Sequence, residues 1–240
     1  MNFDEFKDKF IKELSILNND INLSDDVLKN FYDYMNGIIS WNDKINVTAI
    51  VDPDEFIVKH FIDSITINEI VENKGKLLDI GTGAGFPGIP IKLLNDKLSV
   101  TLIDAVNKKL NVIRDVSKDM NIDNLEIIHS RAEDLARDKN YREQYDYVTT
   151  RAVSNLSTIL EYMIPFLKVN GIAICMKGPN YKEEIEEAKN TFKVLGIKLK
   201  EVKKYVFEGQ ERNVLIIEKL KKTDEKFPRG GGKPLKEPLK

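Results

Sequence analysis

The sequence predicts an α/β protein in which a mostly parallel sheet is flanked by helices and follows a helical N-terminal segment. Three observations lead to this fold class. Residues 1–72 show only helical periodicity, strand-like and helical runs alternate from Lys76 onward, and the last two strand-like runs are joined by the short loop Phe207–Glu211. Alternating strands and helices produce a parallel sheet covered on both faces, whereas so short a loop joins antiparallel neighbours.

Three helices are predicted in the N-terminal segment. Large apolar residues recur at spacings of three and four from Phe3 to Leu17, which marks one face of an amphipathic helix. Ser24 can cap a second helix with acidic residues in its first turn, and the stretch 41–48 breaks the helical pattern. A third helix is predicted after Pro53, because proline is favoured at the first helical position.

The rest of the chain reads as one α/β unit. Strands are predicted at 76–80, 99–104, 125–129, 145–150, 171–176, 197–206 and 212–219, and helices at 88–95, 107–120, 154–168 and 181–195. Seven strands with an antiparallel last strand are typical of class I, Rossmann-like S-adenosylmethionine-dependent methyltransferases, whereas a dinucleotide-binding fold usually stays parallel through its sixth strand. No regular structure is predicted from Thr223 onward.

The composition limits the class of protein. The 240 residues are 42% apolar and 32% charged with a formal net charge of −2, and no apolar stretch is long enough to span a membrane. Cys175 is the single cysteine and there are two histidines, so a disulfide within the chain is impossible and a zinc site is improbable. The N-terminus lacks the basic and apolar regions of a signal peptide, so we expect a cytoplasmic protein.

Charge is distributed unevenly along the chain. Residues 1–60 carry 6 Lys and Arg against 12 Asp and Glu, whereas residues 219–240 carry 8 against 3. We therefore predict three parts: a helical N-terminal extension at 1–72, a core at 73–220 and a basic C-terminal tail at 221–240. A basic tail on a nearly neutral body permits a polyanionic partner, because local patches steer association.

The motif that is most informative about function begins at the end of the first predicted strand. It is the run Asp79-Ile80-Gly81-Thr82-Gly83-Ala84-Gly85-Phe86-Pro87-Gly88. Glycines allow a sharp turn and let a ligand approach main-chain N–H groups. The spacing fits a dinucleotide or S-adenosylmethionine, but Pro87 and Pro90 remove amides that would cradle phosphates, which favours S-adenosylmethionine. Asp104 ends the second strand 21 residues after Gly83, where an acid would bind ribose hydroxyls.

Acidic residues also follow the third strand. Glu133 and Asp134 lie just after its end, where a carboxylate can accept a hydrogen bond from an adenine amino group. The same residues can instead cap a helix and favour its first turn. The spacing supports the two interpretations equally.

Several stretches identify a family by their order along almost the whole chain. They are Trp41-Asn42-x-Lys44-Ile45-Asn46-Val47-Thr48, His60-Phe61-x-Asp63-Ser64, the glycine run with its prolines, Asp104-Ala105-x-Asn107-Lys108, Arg131-Ala132-Glu133, Thr150-Arg151-Ala152-Val153, Lys177-Gly178 and Phe227-Pro228-Arg229. Together they resemble the bacterial 16S ribosomal RNA (guanine-N7) methyltransferase family RsmG, also called glucose-inhibited division protein B. One departure is Gly230-Gly231-Gly232, where the family tail is often richer in Lys and Arg.

The resemblance implies that S-adenosyl-L-methionine is the cofactor and that N7 of a guanine in 16S ribosomal RNA is the target. It places cofactor contacts on Gly81, Phe86, Ala132, Glu133 and Arg151, which join Gly83 and Asp104 from the glycine-loop argument. Phe86 could instead be an ordinary core residue. Arg151 follows the fourth strand, where substrate and methyl donor meet, and it is our candidate catalytic residue. An arginine there could clamp a cofactor carboxylate or an RNA phosphate, or form a structural ion pair.

The absence of several motifs narrows the choice of the atom that is methylated. The fourth strand ends without the Pro-Pro-aromatic box used on exocyclic amino groups, Cys175 lies within a strand, and there is no metal-binding set. Guanine N7 has a lone pair and no hydrogen, so its methylation needs alignment rather than a general base. His60 then has no proton to remove, and we interpret His60 and Asp63 as a site wall or a structural pair that links the extension to the sheet.

RNA contacts are predicted at a basic strand end and in the tail, at Lys177, Arg229, Lys233 and Lys236. Each tail residue could equally be a solvated charge. The predicted partner is 16S ribosomal RNA or a small-subunit assembly intermediate, bound by a monomer without a membrane or a metal. Two alternatives remain: a catalytically inactive methyltransferase-fold RNA-binding or assembly factor, and an NAD-dependent oxidoreductase.

Overall fold

The computed structural model describes residues 1–17, 21, 23–42, 44–151, 154–207 and 209–239. Its seven-stranded sheet has the order β3-β2-β1-β4-β5-β7-β6. The strands are β1 (Lys76–Ile80), β2 (Ser99–Asp104), β3 (Leu125–His129), β4 (Tyr145–Arg151), β5 (Leu167–Lys177), β6 (Ile197–Phe207) and β7 (Gln210–Lys219). β1 to β5 are parallel, and β7 lies antiparallel between β5 and β6. The predicted fold class is therefore confirmed.

The helical N-terminal part begins with α1 (Phe3–Leu14) and α2 (Asp25–Asn42). It continues with α3 (Pro53–Phe56), a π-helical turn at Ile57–Ile62 and α4 (Asp63–Ile65). Asn2 and Glu5 form a capping box at the start of α1, and the Asp52 carboxylate accepts from the Glu55 N–H at the start of α3. The three predicted helices are confirmed.

The remaining helices connect the strands and cover the sheet. They are α5 (Gly88–Leu94), α6 (Asn107–Asp119), α7 (Ala132–Leu135), α8 (Leu156–Met163), α9 (Tyr181–Glu187), α10 (Lys189–Leu195) and α11 (Lys233–Lys236). Within the described part of the chain, no helix is long and apolar enough to cross a membrane.

Three predicted spans are wrong in part. The helix expected at 154–168 ends at Met163, and β5 already begins at Leu167 after a 3₁₀ turn that contains Pro165, a residue that lacks the N–H needed to continue an α-helix. The helix expected at 181–195 is divided at Ala188 into α9 and α10. The tail expected to lack regular structure contains α11, which starts with Pro234 in its first turn.

Two apolar clusters cover the two faces of the sheet. The first combines the N-terminal helices with α5 and α6, and an aromatic group lies at its centre: Phe6, Phe10, Phe31, Phe56, Phe61 and Phe86. The second combines α7 to α10 with Phe227 of the tail. The N-terminal and C-terminal parts thus pack on opposite faces of the sheet.

Candidate functional site

The glycine loop connects β1 to α5 at the carboxyl edge of the sheet. Gly81, Gly83 and Gly85 have φ of 69°, 60° and 87°, a region that side chains rarely adopt. A Cβ at Gly85 would lie 2.3 Å from Tyr34 Oη, and one at Gly88 would lie 2.3 Å from Leu102 Cδ2. A Cβ at Gly83 would meet nothing within 4 Å. Gly85 and Gly88 therefore serve internal packing, whereas Gly83 faces the open space that a cofactor could use.

Asp79 anchors this loop from the end of β1. It is fully buried, and its Oδ2 accepts hydrogen bonds from Thr82 Oγ1 (2.7 Å) and from the Gly88 N–H (2.9 Å). Its Oδ1 has no partner among the described residues. Burial raises the pKa of Asp79 to about 6, although the two hydrogen bonds favour the carboxylate. Asp79 was not among the predicted site residues, although an acid at the end of the strand that leads into a glycine loop was a usable signal.

Asp104 lies beside the open glycine, as expected. Its Oδ2 accepts from the Gly83 N–H at 2.9 Å, and its Oδ1 accepts from the Val106 N–H at 2.8 Å. His129 at the end of β3 is the register partner of Asp104. α7 follows β3 and places Ala132 and Glu133 in its first turn, with Glu133 Oε1 4.0 Å from Arg131 Nη1. Four neighbouring strand ends thus bring the predicted cofactor residues to one edge.

Phe86 joins the glycine loop to the N-terminal helices. Its ring stacks on the ring of His60, with centroids 4.3 Å apart and planes 7° apart. Tyr34 and Phe56 contact it edge-on, and only 2% of the side chain is exposed. Arg151 Cζ lies 5.4 Å from the ring centroid, within cation–π range. Phe86 is therefore part of the apolar core and of the wall around Arg151.

Arg151, the last residue of β4, is bound by the N-terminal extension. Its Nη1 donates to the Lys59 carbonyl (2.9 Å) and to Asp63 Oδ2 (3.0 Å), and its Nη2 donates to His60 Nδ1 (3.0 Å). All three acceptors belong to the π-helical turn and the residue that follows it. The expected link between extension and sheet through His60 and Asp63 is present. Ala152 and Val153, which complete the predicted Thr-Arg-Ala-Val stretch, lie outside the described residues.

His60 is held between two partners. Its Nε2 lies 2.9 Å from Thr48 Oγ1, and Thr48 Oγ1 also accepts from the Ile50 N–H. Burial, reinforced by the Arg151 charge, lowers the pKa of His60 to about 3. The imidazole is therefore neutral at physiological pH.

A pocket of about 380 Å³ opens beside Arg151. It is lined by Ile50, Lys59, His60, Asp63, Arg151, Met176, Lys177, Gly178 and Arg212. Lys177 Nζ donates to the Ser154 carbonyl (2.6 Å) and to Glu184 Oε2 (2.8 Å), and Arg212 Nε lies 3.6 Å from Asp63 Oδ1. Arg212 was not among the predicted site residues, because the pairing of β7 with β5 is what brings the start of β7 to this edge.

The tail residue Arg229 lies outside this pocket lining. Its guanidinium forms a two-pronged pair with the fully buried Glu161, with Nε 2.9 Å from Oε1 and Nη2 2.8 Å from Oε2. The Arg229 N–H also donates to Glu161 Oε1 at 2.8 Å. This geometry gives Arg229 a structural function, and its predicted RNA contact stays a prediction.

The residues present fit S-adenosylmethionine. Gly83 leaves an open cradle, the Asp104 carboxylate lies beside it, and Asp79 keeps one buried oxygen without a partner among the described residues. Across the same described ranges, no group of three or more His, Cys, Asp or Glu could hold a metal ion.

The comparison with protein families decides the assignment. Residues 27–215 match the family model described as GidB, rRNA small subunit methyltransferase G. The chain belongs to this family. A relative from Clostridium tetani named ribosomal RNA small subunit methyltransferase G is 44% identical over 239 residues, which cover 96% of this chain and 100% of the relative. A relative of the same name from Alkaliphilus metalliredigens is 40% identical over 222 residues, which cover 91% and 93%.

Solved structures agree with the GidB family at the level of fold. The TYW2 protein of M. jannaschii in complex with AdoMet has a TM-score of 0.53 at 20% identity, covering 66% of this chain and 75% of that protein. The TrmK protein of M. capricolum in complex with S-adenosyl-homocysteine has a TM-score of 0.53 at 20% identity, covering 67% and 69%. Both support the class I methyltransferase fold predicted from the strand pattern.

Proposed function

We propose that this protein transfers the methyl group of S-adenosylmethionine to N7 of a guanine in 16S ribosomal RNA. The observation that carries the proposal is the direct contact between two half-sites. The open glycine loop forms one side and the pocket beside Arg151 forms the other, and they meet where Phe86 of the loop stacks on His60 of the pocket lining. Membership of the GidB family supplies the class of RNA.

The cofactor residues have separate roles in this proposal. Gly81 and Gly83 let the backbone approach the cofactor, and Asp104 accepts from the ribose hydroxyls while it also fixes the Gly83 N–H. Ala132 and Glu133, at the start of α7, border the adenine. When bound, S-adenosylmethionine supplies an electrophilic methyl group on a sulfonium.

The chemistry at guanine N7 requires alignment rather than proton removal. The ring nitrogen carries no hydrogen, and His60 is neutral with its Nδ1 occupied by Arg151. Neither the target nor the site therefore calls for a general base. Positioning alone can contribute about 7–11 kcal/mol to the lowering of a barrier. Arg151 is the proposed catalytic residue, because it contacts the Phe86 ring of the glycine loop and also lines the pocket.

The partner is 16S ribosomal RNA, either naked or within a small-subunit assembly intermediate, bound by a monomer in the cytoplasm. Lys177 and Arg212 line the pocket with positive charge and are the proposed phosphate contacts there. Because Lys177 is paired with Glu184, RNA must compete with that carboxylate. Replacing Lys177 with alanine should raise KM for RNA, while the exposed Lys182 provides a matched control on α9.

The test is tritiated methyl transfer from S-adenosylmethionine to undermethylated small-subunit particles and to naked 16S RNA, followed by mapping of the modified nucleotide. We expect incorporation at a guanine N7 by the wild type and strongly reduced cofactor binding in Gly83→Val and Asp104→Ala. Asp115→Ala removes an exposed carboxylate on α6 and should behave as wild type. Cofactor binding without incorporation into either RNA would favour the inactive assembly factor instead.

A further inference from the structure

The position of Arg151 depends on a segment distant in sequence. Its recorded hydrogen bonds use three of the five N–H donors of a guanidinium, and every acceptor lies between Lys59 and Asp63. The other two donors have no hydrogen-bond partner among the described residues. The orientation of these two donors is set by the three that are already bound.

The contact with His60 defines its tautomer. Arginine only donates, so Nδ1 of His60 must accept with its lone pair and cannot carry a proton. Because the imidazole is neutral, its one proton is on Nε2, which donates to Thr48 Oγ1. Thr48 is in turn fixed, since Asn42 Oδ1 accepts from the Thr48 N–H at 3.0 Å and Thr48 Oγ1 accepts from the Ile50 N–H at 3.1 Å.

The surroundings leave His60 little freedom. Phe86 stacks on one face of the ring, Phe56 contacts it edge-on, and the side chains of Arg151 and Thr48 occupy its two nitrogens. The residue is 8% exposed. A ring turned over, or carrying its proton on Nδ1, would present no acceptor to Arg151.

We propose that His60 is a positioning residue for methyl transfer, which fixes the Arg151 guanidinium through Nδ1 and is itself fixed by Thr48 through Nε2. The proposal rests on the proposed function and adds a role for one residue. His60 acts through Arg151 and takes no proton from the substrate. The chain of hydrogen bonds Asn42–Thr48–His60–Arg151 connects the end of α2 with the end of β4.

Two substitutions distinguish the roles of the two ring nitrogens of His60. In His60→Asn the amide oxygen can replace Nδ1 and still accept from Arg151, whereas in His60→Gln the amide nitrogen can replace Nε2 and donate to Thr48. Both remove the ring stacked on Phe86, so each controls for the other. We expect His60→Asn to lower kcat at most about threefold and His60→Gln to lower it about 10- to 100-fold, the size of a misplaced group near a reacting centre.

The readouts are kcat and KM for undermethylated small-subunit particles from pH 5 to 8, with circular dichroism verifying that each variant is folded. In an Arg151→Lys background the two His60 variants should have equal activity, because the lysine ammonium lacks the planar guanidinium that His60 orients. Thr48→Val, a smaller change, should lower kcat through the freed tautomer, and Arg151→Lys should abolish that effect too. We also expect the wild-type kcat to show no decrease toward pH 5 that is absent from His60→Asn.

Each possible result is informative. Equal losses in His60→Asn and His60→Gln, losses that persist in the Arg151→Lys background, or an acidic limb assignable to His60 would each overturn the positioning role while leaving the proposed function intact. A wild-type protein that methylates no guanine N7 would overturn the proposed function and this inference together.

Discussion

The N-terminal extension and the C-terminal tail lie on opposite faces of one sheet and are held there in different ways. The extension packs through buried aromatic rings, with Phe61 contacting five other phenylalanines. The tail after β7 is held largely by side chains that donate to its carbonyls. Arg142 donates to three of them, Arg137 to one and Thr158 to one.

The extension and the tail also contribute differently to the site. The extension supplies every recorded acceptor of Arg151 and touches the glycine loop through Tyr34, whose Oη donates to the Ala84 carbonyl at 2.9 Å. The tail instead completes the opposite face with Phe227 and the Arg229–Glu161 pair. Apolar packing therefore supports the side of the site next to the pocket. The tail covers the other face through polar contacts, and we call the tail with the Arg229–Glu161 pair the polar strap.

The largest effect should come from the aromatic packing of the extension. Phe61→Ala removes a fully buried ring, and we expect the free energy of unfolding to fall by about 3–5 kcal/mol. Urea denaturation measures it. Ile11→Ala on α1 is the control, because Ile11 is 47% exposed and its loss should cost less than about 0.5 kcal/mol. Equal losses in the two variants would contradict the central position of Phe61.

The next effect concerns the polar strap. Arg229→Ala removes the guanidinium that pairs with the buried Glu161 carboxylate and leaves only the main-chain N–H, and we expect a loss of about 3 kcal/mol in the free energy of unfolding. Lys226→Ala, which removes an exposed pair with Asp224, should cost less than about 1 kcal/mol. Unchanged stability in Arg229→Ala, together with weaker and less salt-dependent RNA binding, would show that the side chain serves RNA instead.

The third effect is a pH dependence that arises in the extension. The pKa of His60 is about 3 in the folded protein against 6.5 in an unfolded chain, so between these values the unfolded chain binds more protons. The stability that His60 contributes is present above pH 6.5 and is lost as pH falls. Asp79 acts in the opposite direction, because its folded pKa of about 6 exceeds 3.8.

Comparison of His60→Asn with the wild type isolates the contribution of His60. Between pH 4.5 and 6.5 the wild-type free energy of unfolding should decrease more steeply on acidification, by up to about 1.4 kcal/mol per pH unit. Urea denaturation at half-unit pH steps measures the two slopes. Parallel curves would mean that His60 is already protonated in the folded protein.

The smallest effect should come from the contact of the extension with the glycine loop. Tyr34→Phe removes one buried hydrogen bond to Ala84, and we expect a loss of about 1 kcal/mol in stability and a raised KM for S-adenosylmethionine. Tyr32→Phe is the matched control on the same helix, since the Tyr32 hydroxyl donates to the Met1 carbonyl, away from the glycine loop. A cofactor KM that changes equally in both variants would disconnect Tyr34 from the loop.

Local signals explain what could be predicted from the sequence. The helical spacing from Phe3 onward, the alternation after Lys76 and the glycine run all depend on neighbours along the chain, and the helices, the sheet and the proximity of Gly83 to Asp104 followed from them. The acceptors of Arg151 were harder to assign, because the π-helical turn that presents them has no clear local signature. The Arg229–Glu161 pair joins residues 68 positions apart, which periodicity cannot detect.

The binding of Arg151 by the segment from Lys59 to Asp63 has an evolutionary consequence. One side of the site belongs to the extension and the other to the sheet, so neither part is a self-sufficient module that could be exchanged between proteins by recombination. A substitution at Arg151 changes the hydrogen bonding of the turn that holds it. Among related sequences, His60, Asp63 and Arg151 should therefore be inherited as a set and covary when any one of them changes.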